Sequence, residues 1–296
     1  MTRLSRRGFA SLAVSLMAAP LLISCASETV EETRIVSLGG DLTEIVYALG
    51  HIDDVVARDS TSLYPASVQD LPDVGYVRSL GAEPVLSMAP SLIIASSEAG
   101  PPEVIDQVQS SGVPIVQPPE GYSQEILEQR IQVIGDALGE AEQAQALIED
   151  IRSKMARVAT VVSEQPEKPK VLFLLQARDG SPMAAGTDTA ANAMIELAGG
   201  ENIFSTHSGY KPFSLEVLAE AKPDALMLMD HSLTAMGGKE ALKNHPAIGL
   251  TPAAQNGKVI AADGLFLLGF GPRLPEAVAY VAEELHGDLG LDLASG

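Results

Sequence analysis

Short apolar runs alternate along the chain with stretches in which apolar positions recur every three or four residues. The runs Arg34 to Leu38, Val55 to Arg58, Leu92 to Ala95, Val113 to Val116, Val171 to Leu175, Ala225 to Met229 and Val259 to Ala261 read as strands. Helical patterns lie between them. That alternation predicts parallel α/β sheets, because each parallel strand needs a crossover before the next. After the first strand, Gly39-Gly40 leads into Asp41-Leu42-Thr43-Glu44. Asp41 with Glu44 three residues later has capping-box spacing, which predicts a helix from Leu42 to Leu49 that stops at Gly50. From Ser123 to about Val162 the pattern stays helical, interrupted at Gly139. Its second half sets Ala144, Leu147, Ile148, Ile151, Met155, Val158 and Val162 on one stripe. A helix this long with no strand inside it predicts a connector between two lobes.

The two halves echo each other. The segment EPVLSMAPSLI from Glu83 to Ile93 parallels EVLAEAKPDAL from Glu216 to Leu226 at a constant offset (216 − 83 = 133; 223 − 90 = 133). Each copy follows a Gly-Tyr pair, Gly75-Tyr76 and Gly209-Tyr210, and Thr43 to Gly50 resembles Thr189 to Gly199. One such match arises wherever a short helix runs through a proline into a buried strand; two in the same order make a repeat. The expected architecture is α/β, with two similar lobes of parallel sheet (34–139 and 166–296) joined by one connecting helix (140–165). Small ligands usually bind in the cleft that such lobes enclose.

Composition sharpens this picture. At 296 residues the chain has room for two lobes with cores of their own. Against 39 Asp+Glu stand only 19 Lys+Arg, a formal charge of −20 with no basic stripe, so nucleic-acid binding is not expected. A single cysteine excludes a disulfide framework, a cysteine-built zinc site and a CxxC redox centre. That cysteine, Cys25, ends an apolar run that begins at Phe9 and follows Arg3, Arg6 and Arg7. The run is a signal-peptide core rather than a membrane span, and Leu22-Ile23-Ser24-Cys25 resembles a lipobox. Residues 1–24 are therefore expected to be removed, leaving Cys25 lipidated at the head of a polar tether (25–33) outside the cytoplasmic membrane. Ser5-Arg6-Arg7-Gly8-Phe9 resembles a twin-arginine signal, and a Sec signal is the alternative route. The mature charge becomes 16 − 39 = −23.

Four stretches resemble the periplasmic haem-binding proteins, within the iron–siderophore and vitamin B12 class of substrate-binding proteins that serve ABC importers. They are RIVSLGGDLTEIVYALG, LPDVGYVRSLGAEPVLSMAPSLIIAS, AAGTDTAANAMIELAGGENIF and LLGFGPRLPEAV, and the resemblance covers roughly Thr33 to the C-terminus. The resemblance implies two α/β lobes bridged by one long helix, no enzymatic chemistry, and haem as the transported ligand. It implies a partner too, a permease dimer with its ATPase. A monomer touching the membrane only through its lipid is expected. A ferric siderophore or a corrinoid is the alternative ligand. An extracytoplasmic hydrolase is disfavoured, since the sequence has no GxSxG elbow and no HExxH helix.

Within Gly75-Tyr76-Val77-Arg78 the resemblance makes Tyr76 the ligand of haem iron. Ferric iron favours anionic oxygen, and tyrosinate is a known axial haem ligand. A free phenol ionises near pH ~10, so ligation needs the anion stabilised by metal and neighbours. Arg78, on the same side in an extended segment, is placed to hydrogen-bond that oxygen. From spacing alone Tyr76 reads better as a half-buried loop tyrosine beside a solvated Arg78; the resemblance turns the reading to the ligand. In the second lobe Gln176-Ala177-Arg178-Asp179 stands where some relatives carry a histidine, and Arg178 is a candidate partner for a haem propionate or for Asp179. His231, just past the strand Ala225 to Met229, reads either as a cleft residue or as a solvated loop histidine. Tyr210 is a candidate for the cleft lining, while His51, His207, His245 and His286 read as surface residues. Glu83 and Glu216 head the repeated helices, where the resemblance implies docking to permease arginines and the helix dipole gives a local alternative.

Overall fold

Four short apolar strands build the first sheet: β1 (Ile35–Leu38), β2 (Val55–Arg58), β3 (Leu92–Ala95) and β4 (Ile115–Val116), in the order β2-β1-β3-β4 and all parallel. The computed structural model describes residues 33–176, 182–214, 218, 220–246 and 248–293. Every residue of β1 is buried, as a central strand covered on both faces requires, and its one polar side chain, Ser37, shares a hydrogen bond with Thr43 at 2.6 Å. Helices α1 (Gly40–Ala48), α2 (Ala82–Ser87) and α3 (Pro102–Ser110) supply the crossovers. The sequence pattern starts β4 at Val113, but its ladder begins only after Pro114, which accepts from Ile93 N–H and has no N–H to return.

The long helical stretch is two helices, α4 (Gln124–Leu138) and α5 (Ala141–Ser163). Ser123 caps the first by accepting from Ile126 N–H at 3.3 Å, and Gly139 ends it at φ +79°. On the predicted stripe of α5, Ala144, Ile148, Ile151, Met155 and Val158 are buried, and Leu147 and Val162 pack against the same core. One continuous cluster holds Ile35 and Ile45 of the first lobe, Ile151 of α5, and Phe173, Ile195 and Val278 of the second.

The second sheet contains β5 (Lys170–Gln176), β6 (Pro182–Ala185), β7 (Glu201–Asn202), β8 (Tyr210–Pro212), β9 (Ala225–Met229) and β10 (Val259–Ala262), with α6 (Ala190–Leu197) between β6 and β7. Its order is β10-β9-β5-β6-β8, with β7 also on β5. The parallel expectation holds for β10, β9, β5 and β7, whereas β6 and β8 add an antiparallel edge. Only five residues separate β5 from β6, fewer than the dozen or so a parallel crossover needs.

The internal repeat is visible in the backbone. Strands β3 and β9 begin 133 residues apart (225 − 92). Ala89 and Lys222, each directly before the repeat proline, take φ +48° and +45° at the same offset (222 − 89 = 133). Left-handed backbone is uncommon outside glycine, so the two halves share a turn as well as a pattern.

Among the described residues no helix is long and apolar enough to cross a membrane.

Candidate ligand-binding cleft

The loop that follows β2 carries Tyr76. Val74 N–H donates to Arg58 C=O at 3.0 Å and Ser60 N–H to Gly75 C=O at 2.9 Å, so the loop folds back along the strand end. Gly75 takes φ +112°, a turn that other residues resist, and Ser79 N–H closes the next turn onto Tyr76 C=O at 2.7 Å. Val77 points into the core at 4% exposure and leaves Tyr76 outside at 44%. Arg78 meets Tyr76 through this turn rather than along an extended segment: its Nη1 donates to the phenol oxygen at 2.6 Å. Nη2 donates to Glu98, which holds the guanidinium more firmly protonated still. Glu98 lies in the turn after β3, and beside it Ser97 donates to Glu120 at 2.8 Å.

Aromatic residues of both lobes complete the wall. Tyr122 of the first lobe meets Phe270 of the second edge to face, with centroids 5.7 Å apart. Phe270 is buried and takes φ +52°, an outlier for a bulky side chain held where the lobes touch. Tyr210, at the start of β8, packs on Phe173 with centroids 6.2 Å apart. Burial pushes Tyr210 up to about 12, and the ionisable groups that act on it next are Tyr122, Arg78 and Glu98, all of the opposite lobe. Tyr122 is raised as well, by burial first and then by Glu98 and Glu120. Burial thus keeps both phenols neutral within the field of Arg78 and Glu98.

Behind the wall, buried ion pairs fix the loops. Arg130 of α4 donates to Pro119 C=O at 2.9 Å, to Gly121 C=O at 2.8 Å and to Asp41 at 3.0 Å, holding the loop that carries Tyr122. Burial raises Asp41 to about 6 against the opposing pull of Arg130. Glu44, 3% exposed, takes a fork from Arg273 of the second lobe, Nε at 3.1 Å and Nη2 at 2.5 Å. The Arg273 guanidinium also lies 3.9 Å from the Tyr64 ring centroid. These partners correct the capping-box expectation. Helix α1 starts at Gly40 with no side-chain cap, and both carboxylates turn to arginines, which bind them more strongly than neutral N–H groups do. No side chain fits at Gly40, where a Cβ would come within 2.5 Å of Thr61 C=O and 2.7 Å of Leu265 from the other lobe.

Of the predicted site residues, the structure joins Tyr76 and Arg78 directly. His231 is exposed in the helix Asp230–Ala235 and stands by Gly264, where a Cβ would lie 3.7 Å from its Cε1; among the described residues nothing links it to Tyr76. Glu83 is exposed in the first turn of α2. Arg178, Glu216 and Cys25 lie outside the described residues. His51, expected at the surface, is half-buried and bridges Asp54 at 2.7 Å and Glu140 at 3.1 Å. Glu98, Tyr122, Arg130 and Phe270 were not read from the sequence. Each is placed by contacts across loops or lobes, and only the Gly269-Phe270-Gly271 triplet carried a local signal.

The comparisons with known proteins agree with this architecture. The periplasmic heme-binding protein RhuT from Roseiflexus sp. RS-1, solved in apo form, superposes with a TM-score of 0.83 at 37% identity, over 86% of this chain and 98% of that one. An ABC transporter substrate-binding lipoprotein of Bacillus subtilis (strain 168) is 28% identical over 264 residues, 87% of this chain and 81% of its own. A vitamin B12-binding protein of Vibrio parahaemolyticus is 25% identical over 265 residues, 88% of this chain and 91% of its own. The sequence profile of the periplasmic binding protein family matches residues 35–264. Two α/β lobes around an aromatic cleft, with that match over most of the chain, make this protein a member of the periplasmic binding protein family, a non-enzymatic component of transport.

Proposed function

We propose that the cleft binds ferric haem through Tyr76 and that the protein delivers it to an ABC importer. The observation that carries this reading is the 2.6 Å hydrogen bond from Arg78 to the Tyr76 oxygen at the edge of an aromatic wall. A phenol whose oxygen already meets a guanidinium is suited to ligate iron as its anion. Tyr122 and Tyr210 offer aromatic surface to a porphyrin, with Phe270 buried behind Tyr122, and the likeness to a heme-binding protein supports the same ligand. His231 and Arg178 are kept as second-lobe candidates for iron or a propionate.

The curated relative that binds vitamin B12 makes a corrinoid the second reading. Competition decides between them: the purified protein is titrated with hemin, cyanocobalamin and a ferric siderophore in turn. Hemin is expected to bind tightest by at least tenfold. Preference for cobalamin, or for the siderophore, overturns the haem assignment and leaves the family standing.

Delivery needs two further parts. Cys25, lipidated after removal of residues 1–24, holds the binder near its permease at raised effective concentration. Glu83 and Glu216, one per lobe, present carboxylates to arginines of a permease dimer.

A further inference from the structure

A carboxylate at the mouth of a cleft for an anionic ligand calls for a reason. Glu98 sits in the turn after β3, where its N–H donates to Ser96 Oγ at 3.2 Å and Ala99 N–H donates to Ser96 C=O at 2.9 Å. That turn is tied to the turn of Arg78: Gly100 N–H donates to Val77 C=O at 2.9 Å, and Leu80 N–H to Gly100 C=O at 2.8 Å. Backbone pairing therefore sets the separation between Glu98 and Arg78. The guanidinium spans it with different nitrogens, Nη2 on Glu98 and Nη1 on the Tyr76 oxygen.

We propose that Glu98 is a positioning residue for the iron-ligating tyrosine, acting through Arg78; the proposal rests on the haem reading above. A long arginine on an open turn otherwise samples many rotamers, and each must be given up when the phenolate forms. Glu98 fixes one end of the fork before ligand arrives, so the other end already faces the oxygen. Outer partners of this kind orient the groups that serve a metal ligand. The negative charge of Glu98 also draws on Arg78. Both side chains are about half open to water, however, with side-chain exposures of 51% and 36%, so their charges are screened and the geometric effect wins. Removing Glu98 is therefore expected to weaken binding, not to tighten it.

The test has one arm without ligand and one with hemin. In nuclear magnetic resonance of the apo protein labelled in arginine, the Arg78 guanidinium rotates slowly in the wild type, fast in Glu98→Ala and slowly again in Glu98→Gln. With hemin, Glu98→Ala binds about tenfold more weakly, Glu98→Gln recovers most of the loss, and Glu98→Ala costs less than about twofold in an Arg78→Ala background. Unchanged Arg78 rotation in Glu98→Ala overturns the proposal, as does a full loss in the Arg78→Ala background. If the wild type shows no tyrosinate spectrum with hemin, the haem reading falls. The Arg78 rotation still decides whether Glu98 holds the guanidinium.

Discussion

Arg273 shows how much one side chain of this fold carries. It lays its guanidinium 3.9 Å from the Tyr64 ring centroid and forks onto Glu44, so one residue of the second lobe grips two of the first. Arg273→Ala leaves the Glu44 carboxylate buried without its cation, and a loss of about 3–5 kcal/mol is expected in urea unfolding. Arg273→Lys keeps the charge but not the fork or the stack, and should recover only part of that loss. Equal stability of Arg273→Ala and wild type would mean that the pair adds nothing to lobe contact. Legibility at this scale followed sequence distance. Tyr76 and Arg78 stand two residues apart in a motif that could be read directly. The carboxylate partners of Arg78, Arg130 and Arg273 lie 20, 89 and 229 residues away, beyond the reach of any local pattern. Glu98 and Arg130 therefore emerged only from the fold.

Elements were more legible, because burial imposes its period directly on the chain. The stripe of α5 was read correctly, and its buried residues join the core shared by the two lobes. Ile151, 1% exposed in that core, tests it: Ile151→Ala is expected to cost about 2–5 kcal/mol. A loss below about 1 kcal/mol in thermal or urea unfolding would mean that α5 is held by something other than its apolar face. The errors have local causes. Asp41 and Glu44 have capping-box spacing, but each finds an arginine instead, and α1 begins earlier than the box implies. β6, β7 and β8 are too short, or too close to the preceding strand, to give an alternating signal. The repeat was legible because both copies pass through proline, and the left-handed turns at Ala89 and Lys222 give the physical reason.

For the whole molecule, charge sets the response to pH. Asp41 is raised to about 6 by burial, and Glu44 is raised, again mainly by burial. At His51 burial works downward, but the hydrogen bonds to Asp54 and Glu140 outweigh it and the net shift is upward. In each case the folded state binds its proton more tightly than the unfolded chain. The stability these groups contribute is complete below their unfolded values and is lost as pH rises through the folded ones. Glu125 and Glu128 are lowered, and their contribution is lost only on falling through the acid side of the carboxylate range. Melting temperature is therefore expected to rise as pH falls from about 7 to about 5, by several degrees, and less so in Asp41→Asn. A midpoint that falls over that range would contradict the assignment. Docking belongs to the same scale. Glu83→Ala with Glu216→Ala should leave hemin binding intact and sharply reduce uptake into vesicles carrying the permease. Unimpaired uptake would remove both residues from the interface. The central claim, haem held by Tyr76, is tested most directly by the absorbance spectrum of the purified protein with ferric hemin, wild type beside Tyr76→Phe. The wild type should show the charge-transfer bands of tyrosinate-ligated ferric haem, and Tyr76→Phe should lose them together with most of the affinity. Identical spectra and affinities in the two proteins would contradict the account.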